Sequence, residues 1–223
     1  MKILAIETAT EACSAALEIE GSCIQRFEIS PRRHTQLILP MIDELLHEAD
    51  IKVNELDAIA FGQGPGAFTG VRIAIGVVQG LAFAHDLPVI PVSTLAALAQ
   101  HFAVEHDHIA AAIDARMQEI YWGLYKKNDS GLMQAIIEEK VCSPIDLTVI
   151  SEGNWFGVGS GWKTYPEELQ YKFNDNLSGF DGNVFPSAED ILTLAKPVFQ
   201  QNKAISVEAA TPVYLRNKIA NKN

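Results

Sequence analysis

Apolar and polar positions follow two rhythms along this chain. Ile3 to Ile6 is a short unbroken apolar run, and Cys13 to Glu20 and Ser22 to Ser30 follow as two more strands joined at Gly21, so the chain opens on a predicted strand meander. From Leu37 the spacing turns helical. Leu37, Ile38, Met41, Ile42, Leu45, Leu46 and Ala49 share one broad face, with Asp43, Glu44, His47 and Glu48 opposite. Pro40 is expected in or near the first turn of this helix, where a missing N–H costs little. Asp57 to Phe61 predicts a short strand that ends at the glycine-rich run Gly62-Gln-Gly-Pro-Gly-Ala-Phe-Thr-Gly70, and a second helix is expected over Thr69 to Ala84. Pro88 to Val92 reads as a strand, after which Ser93 or Thr94 can cap a third helix through His101.

The polar break Glu105-His-Asp-His108 precedes a second start, with strands expected over Ile109 to Asp114, Glu119 to Lys126 and Met133 to Val141 and a turn at Asn128-Asp-Ser-Gly131. A Gly/Trp-rich section (Gly153 to Trp162) and a polar loop (Asn174 to Asn183) lead to a helix from Ser187 to about Gln200, capped by Ser187 with Asp190 at its third position. The meander thus begins twice. The expected architecture is α/β with two lobes, residues 1–104 and 105–223, each built on βββαβα.

Composition narrows the function. Hydrophobic residues at 48% and charged ones at 20% suit a globular protein with a real core. A formal charge of -11 works against phosphate contacts, so direct RNA or DNA binding is not expected. Cys13, Cys23 and Cys142 are too few and too scattered for a disulfide framework or a zinc site, which fits a reducing cytoplasm. The apolar stretch Val71 to Ala84 carries Arg72 and Gln79 and falls short of the ~20 residues of a bilayer span, so a soluble protein without a membrane role is expected.

Two βββαβα units in succession are the plan of the actin, Hsp70 and sugar-kinase superfamily. Four segments are more specific: Ile3-Leu-Ala-Ile-Glu-Thr-Ala-Thr10, Gly64-Pro-Gly-Ala-Phe-Thr-Gly-Val-Arg-Ile73, Asp114-Ala-Arg-Met-Gln-Glu-Ile-Tyr121 and Pro212-Val-Tyr-Leu-Arg216. In order and spacing they resemble the TsaB (YeaZ) family over nearly the whole chain. That resemblance implies an actin-like fold and a part in making threonylcarbamoyladenosine in tRNA. It also implies a TsaD-type transferase and a TsaE-type ATPase as partners, with tRNA met only through the complex.

Where the superfamily has an Asp-x-Gly-Thr phosphate turn, this chain has Glu7-Thr-Ala-Thr10. Glu7 replaces the family's usual Asp, and the missing glycine at Ala9 keeps a phosphate farther from the backbone. Thr8 and Thr10 are either phosphate ligands or local backbone caps. Gly64 and Gly66 either cradle an anion before the helix or make a tight turn that starts it; no Gly-Lys-Ser/Thr closes the loop, so it is not a Walker A motif.

A TsaD-type protein is expected to hold its metal with a His-x-x-x-His pair, and the matching positions here are Thr94 and Leu98, which cannot replace it. His106-Asp-His108 reads as a solvated linker. Asp114 and Arg116 read as an ion pair or as groups that orient a partner's ligand. Gly157-Val-Gly-Ser-Gly161 lacks the apolar strand-to-helix setting of a dinucleotide motif. No catalytic residue, metal or cofactor is therefore expected, although a nucleotide in the cleft stays open. An ATP-dependent small-molecule kinase and a metallopeptidase-like protein are the competing readings.

The helix Thr69 to Ala84 is apolar on nearly every side, which calls for a second packing partner. Leu37, Met41, Leu45, Val71, Ile75, Gly76, Val78 and Gly80 are the candidate partner-binding residues. Their two helices are expected to pair with the equivalent two of the TsaD-type protein, and to form a homodimer when the chain is alone; the alternative is that both simply cover the lobe's own sheet.

Overall fold

A computed structural model describes residues 1–148, 150 and 152–216. The first meander forms β1 (Lys2–Glu7), β2 (Ala12–Ile19) and β3 (Ser22–Ile29), followed by α1 (His34–Glu48), β4 (Ala58–Gly62), α2 (Phe68–His85), β5 (Val89–Val92) and α3 (Thr94–Gln100). The second half contributes β6 (His108–Arg116), β7 (Glu119–Lys127), β8 (Met133–Ala135), β9 (Lys140–Cys142), β10 (Trp155–Val158), α4 (Ser160–Thr164), α5 (Pro166–Phe173), β11 (Leu177–Asp181) and α6 (Ala188–Gln200).

The strands form two sheets, one ordered β3-β2-β1-β4-β5 and the other β11-β10-β6-β7-β8, with β9 also on β7. The two orders are the same when β6 is matched to β1. In each sheet the first hairpin is antiparallel and the later strands are parallel to the first. The repeat expected from the two meanders is therefore present in the topology.

The unbroken apolar run of β1 has a simple cause, since helices cover both faces of its sheet. Leu4 and Ile6 pack with α1 and α2 through Ile38, Leu45, Val71 and Val78. Ile3 and Ala5 face α6 through Ile191, Leu192 and Ala195, and alanines at 16, 58 and 60 let that helix come close. In the second sheet Ile109, Ala111 and Ile113 meet Leu95, Leu98 and Ala99 of α3. On its other face Trp122, Trp162, Leu169 and Phe173 cover Ala110 and Ala112.

Several expectations change. A boundary at 104/105 separates the two sheets but not their helices, because α3 packs on the second sheet and α6 returns to the first. Lys196 of α6 even pairs with the buried Glu18 of β2. Helix α1 starts at His34, whose ring bonds the Ala12 carbonyl at 3.2 Å, so Pro40 lies inside it and not in its first turn. Met133 to Val141 is two short strands, and the expected polar loop holds β11. Helix α5 opens on Pro166, a residue suited to a first helical position. At 18 residues and mean hydropathy 1.3, α2 is long and apolar enough by composition to cross a membrane, yet one face of it is core to the first sheet.

Candidate functional site

Between the two sheets lies a cavity of about 1220 Å³, walled by the β1–β2 turn, the start of α2, the β6–β7 turn and the segment carrying Tyr214 and Arg216. Each wall is built differently.

The β1–β2 turn is filled by the protein itself. The Thr8 hydroxyl donates to the Gly70 carbonyl at 2.7 Å, and the Ala67 N–H donates to the Ala9 carbonyl at 2.7 Å. The Glu7 carboxylate accepts from the Ala9 N–H (2.6 Å) and from the Thr94 hydroxyl (3.1 Å). A Cβ at Gly66 would sit 2.4 Å from the Ala9 carbonyl oxygen, and one at Gly70 would sit 2.1 Å from that of Thr8. The loop's glycines are thus spent on close approach to another backbone segment. Thr8 and Gly64 are buried against protein, Gly64 beside the Val213 carbonyl, so neither can serve as the phosphate ligand considered above. Thr10 and Gly66 do line the cavity, though the Thr10 hydroxyl already accepts from the Ala12 N–H at 3.4 Å.

Glu7 is fully buried. Desolvation dominates and raises its pKa to about 7, while the bonds from Ala9, Thr94 and Thr8 pull the other way. Thr94 is therefore this carboxylate's hydroxyl partner, and Leu98 belongs to the core.

The β6–β7 turn is open. Arg116, Met117 and Gln118 have φ of 62°, 58° and 61°, three successive residues in a region that side chains with a Cβ rarely adopt. Asp114 accepts from the Arg116 N–H at 2.9 Å and from its guanidinium at 3.0 Å, making the local ion pair. Arg116 also lies 3.6 Å from Glu11 across the cavity.

Four residues converge at the cavity mouth that the pattern of the sequence did not single out as a site. The Arg72 guanidinium lies 3.5 Å from the Phe68 ring centre and donates from Nε to the Tyr214 hydroxyl at 2.8 Å. Phe68 and Tyr214 stack at 5.6 Å. Arg216 donates to the Ala115 carbonyl at 3.0 Å and pairs with Glu119. Tyr214 and Arg216 lie in a segment marked by the family resemblance, but no local periodicity links Arg72 to a residue so distant in the chain.

The expected partner surface needs correction. Met41, Leu45, Val71, Ile75 and Val78 are buried in the chain's own core, because the more apolar face of each helix packs on the first sheet. Leu37 is half-buried against the same core. Gly76 and Gly80 do face outward, and a Cβ at either would meet nothing. Beside them Leu39 and Phe83 are 53% and 55% exposed. With Ile73 and Val77 these form a shallow apolar strip between α1 and α2, with a groove of about 260 Å³ at its head.

The remaining motifs have structural employment. His106 stacks on Phe156 and His108 tilts against Trp155, so the two rings point to different neighbours. Gly157 to Gly161 does join a strand, β10, to a helix, α4, contrary to the expected setting. Gly157 is filled by the Trp162 ring, while Gly159 and Gly161 are pressed against Ala112.

The family model described as TsaD, tRNA N6-adenosine threonylcarbamoyltransferase, matches residues 27–223. The tRNA threonylcarbamoyladenosine biosynthesis protein TsaB of Escherichia coli is 43% identical, over 99% of this chain and 96% of its own length. Its namesake in Haemophilus influenzae is 42% identical, over 98% and 95%. Among solved structures, YeaZ from Pseudomonas aeruginosa superposes with a TM-score of 0.89 at 46% identity, over 96% of this chain and 99% of that one.

Proposed function

The chain belongs to the TsaB family of tRNA threonylcarbamoyladenosine biosynthesis proteins, and from that membership we propose that it serves the pathway as a non-catalytic subunit. Its role is to bind and support a TsaD-type transferase, with a TsaE-type ATPase joining them and tRNA met through the complex. The doubled sheet order supports an actin-like fold. Against a kinase-like reaction, the first phosphate turn is occupied by Glu7 and by the packed glycine loop. Against a metal centre at the TsaD-like position, Thr94 is committed to Glu7 and Leu98 to the core.

The observation that carries the docking proposal is the apolar strip of Leu39, Ile73, Gly76, Val77, Gly80 and Phe83. Two outward glycines one helical turn apart allow close helix approach, and large side chains flank them. We propose that the equivalent helices of the transferase lie here, and that two copies of this chain use the same strip when alone. Light scattering of the mixed proteins tests this. A one-to-one heterodimer should replace the homodimer, and Gly76→Trp should abolish both assemblies. A complex that keeps the homodimer contact intact would place the docking surface elsewhere.

A further inference from the structure

The segment after the last helix crosses from one sheet to the other over the mouth of the cavity. The Val213 N–H donates to the Gln63 carbonyl at 2.9 Å, and the Gln79 amide donates to the Ala210 carbonyl at 3.1 Å, which fixes this segment to the first sheet and α2. Three residues after Val213, Arg216 grips the β6–β7 turn through the carbonyls of Ala115 (3.0 Å) and Arg116 (3.4 Å) and the Glu119 carboxylate. Its target is the turn with three successive left-handed residues, a conformation that persists only where its surroundings hold it. Between the anchors, Tyr214 is pinned by Arg72 and Phe68.

Arg72 serves two places. It holds Tyr214 on the cavity side, and it lines the groove between α1 and α2 beside Leu39, Ile73 and Gly76. A guanidinium stacked on aromatic rings gains strength when water is removed from it. Covering the groove with an apolar partner surface would do this.

We propose that Pro212–Arg216 is a strap that holds the two sheets closed over the cavity, and that occupation of the α1–α2 groove tightens it through Arg72. The coupling rests on the docking surface proposed above. By thermodynamic reciprocity, loosening the strap must weaken the partner by the same factor. The desolvation gain expected for such a stack corresponds to about fivefold in affinity.

The test uses the full chain and the TsaD-type transferase of the same cell. Tyr214→Ala and Arg216→Ala should each weaken binding about fivefold by titration calorimetry, whereas Tyr214→Phe, which keeps the stack and loses only the hydroxyl, should cost about twofold. Thermal melting checks that each variant folds.

A second readout needs no affinity. Spin labels at Glu20→Cys and Asp129→Cys, in a chain with Cys23 and Cys142 changed to Ser, report the distance between the sheets. Arg216→Ala should broaden that distance distribution, and the partner should narrow it in the parent chain but not in the variant. Unchanged affinity and unchanged distances in both alanine variants, with Gly76→Trp inactive in binding, would overturn the strap while leaving the docking surface in place. Normal binding by Gly76→Trp would overturn the docking surface and the coupling with it, and the distances in the isolated chain would still decide whether the strap holds the sheets.

Discussion

In the first sheet the turn that closes the β1–β2 hairpin is buried, bonded to two other segments and free of left-handed residues; in the second sheet the matching β6–β7 turn is exposed, charged and left-handed at three successive positions. The sheets share one order, so topology does not cause the difference. What sits against each turn does. A glycine loop and α3 press on the first, while the second is restrained by side chains, the strap's Arg216, the local Asp114–Arg116 pair and the Arg116–Glu11 pair across the cavity. One turn of the repeat is part of the core, and the other lies at the surface.

The sharpest way to break this contrast is to separate the glycine loop from the first turn. Gly70→Ala puts a methyl 2.1 Å from the Thr8 carbonyl oxygen, a backbone atom that cannot swing aside. The cost should be about 4 kcal/mol, at the high end for overpacking a core. Denaturant unfolding gives the number, and a loss below about 1 kcal/mol would show the loop to be less tightly seated than described.

Protonation of Glu7 gives the next largest effect. Its folded pKa of about 7 stands above the ordinary 4.5, so the folded chain binds this proton more tightly than the unfolded one. The contribution of this group to stability should therefore be full below pH 4.5 and be lost as pH rises toward 7, by roughly 3 kcal/mol. Glu7→Gln keeps an oxygen for the Ala9 N–H and removes the charge. The stability difference between variant and parent should grow from pH 5 to pH 8 in the variant's favour, and parallel curves would refute the assignment.

Much of this was legible in the residues. The two meanders and the apolar runs led to the doubled sheets, since strand periodicity and buried runs are local signals. The periodicity of Ser187 to Gln200 marks a helix, and Ser187 accepts from the Asp190 N–H as expected, but nothing local says that it crosses back to the first sheet. Helices α1 and α2 are recognisable as well, yet of the candidate partner-binding residues Met41, Leu45, Val71, Ile75 and Val78 face the core, while Gly76 and Gly80 face outward. Apolar side chains on both sides of α2 do not reveal which side the sheet takes, and the more apolar side, Val71, Ile75 and Val78, went to the core. The Arg72–Tyr214 contact joins residues so far apart in the chain that only the fold brings them together.

The smallest effect gives the cleanest comparison, because one kind of substitution should change sign between the two turns. At the first turn, Ala9→Gly supplies the glycine that an Asp-x-Gly-Thr phosphate turn would have, but Ala9 is packed in the core, and its carbonyl already accepts from Ala67. The variant loses a buried methyl and gains unfolded-state freedom, so it should be destabilised by about 1 kcal/mol. It should acquire no affinity for inorganic phosphate, since Gly66 and Ala67 still fill the space. At the second turn, Met117 is exposed and held at φ 58°, where a Cβ costs about 1 kcal/mol. Met117→Gly removes that strain, pays part of it back in unfolded-state entropy, and should be stabilising by about 0.5 kcal/mol. Paired melts of the two variants measure both signs. Destabilisation by both would mean that the second turn is held as firmly as the first, and the contrast between a buried turn and a strained, exposed one would fail.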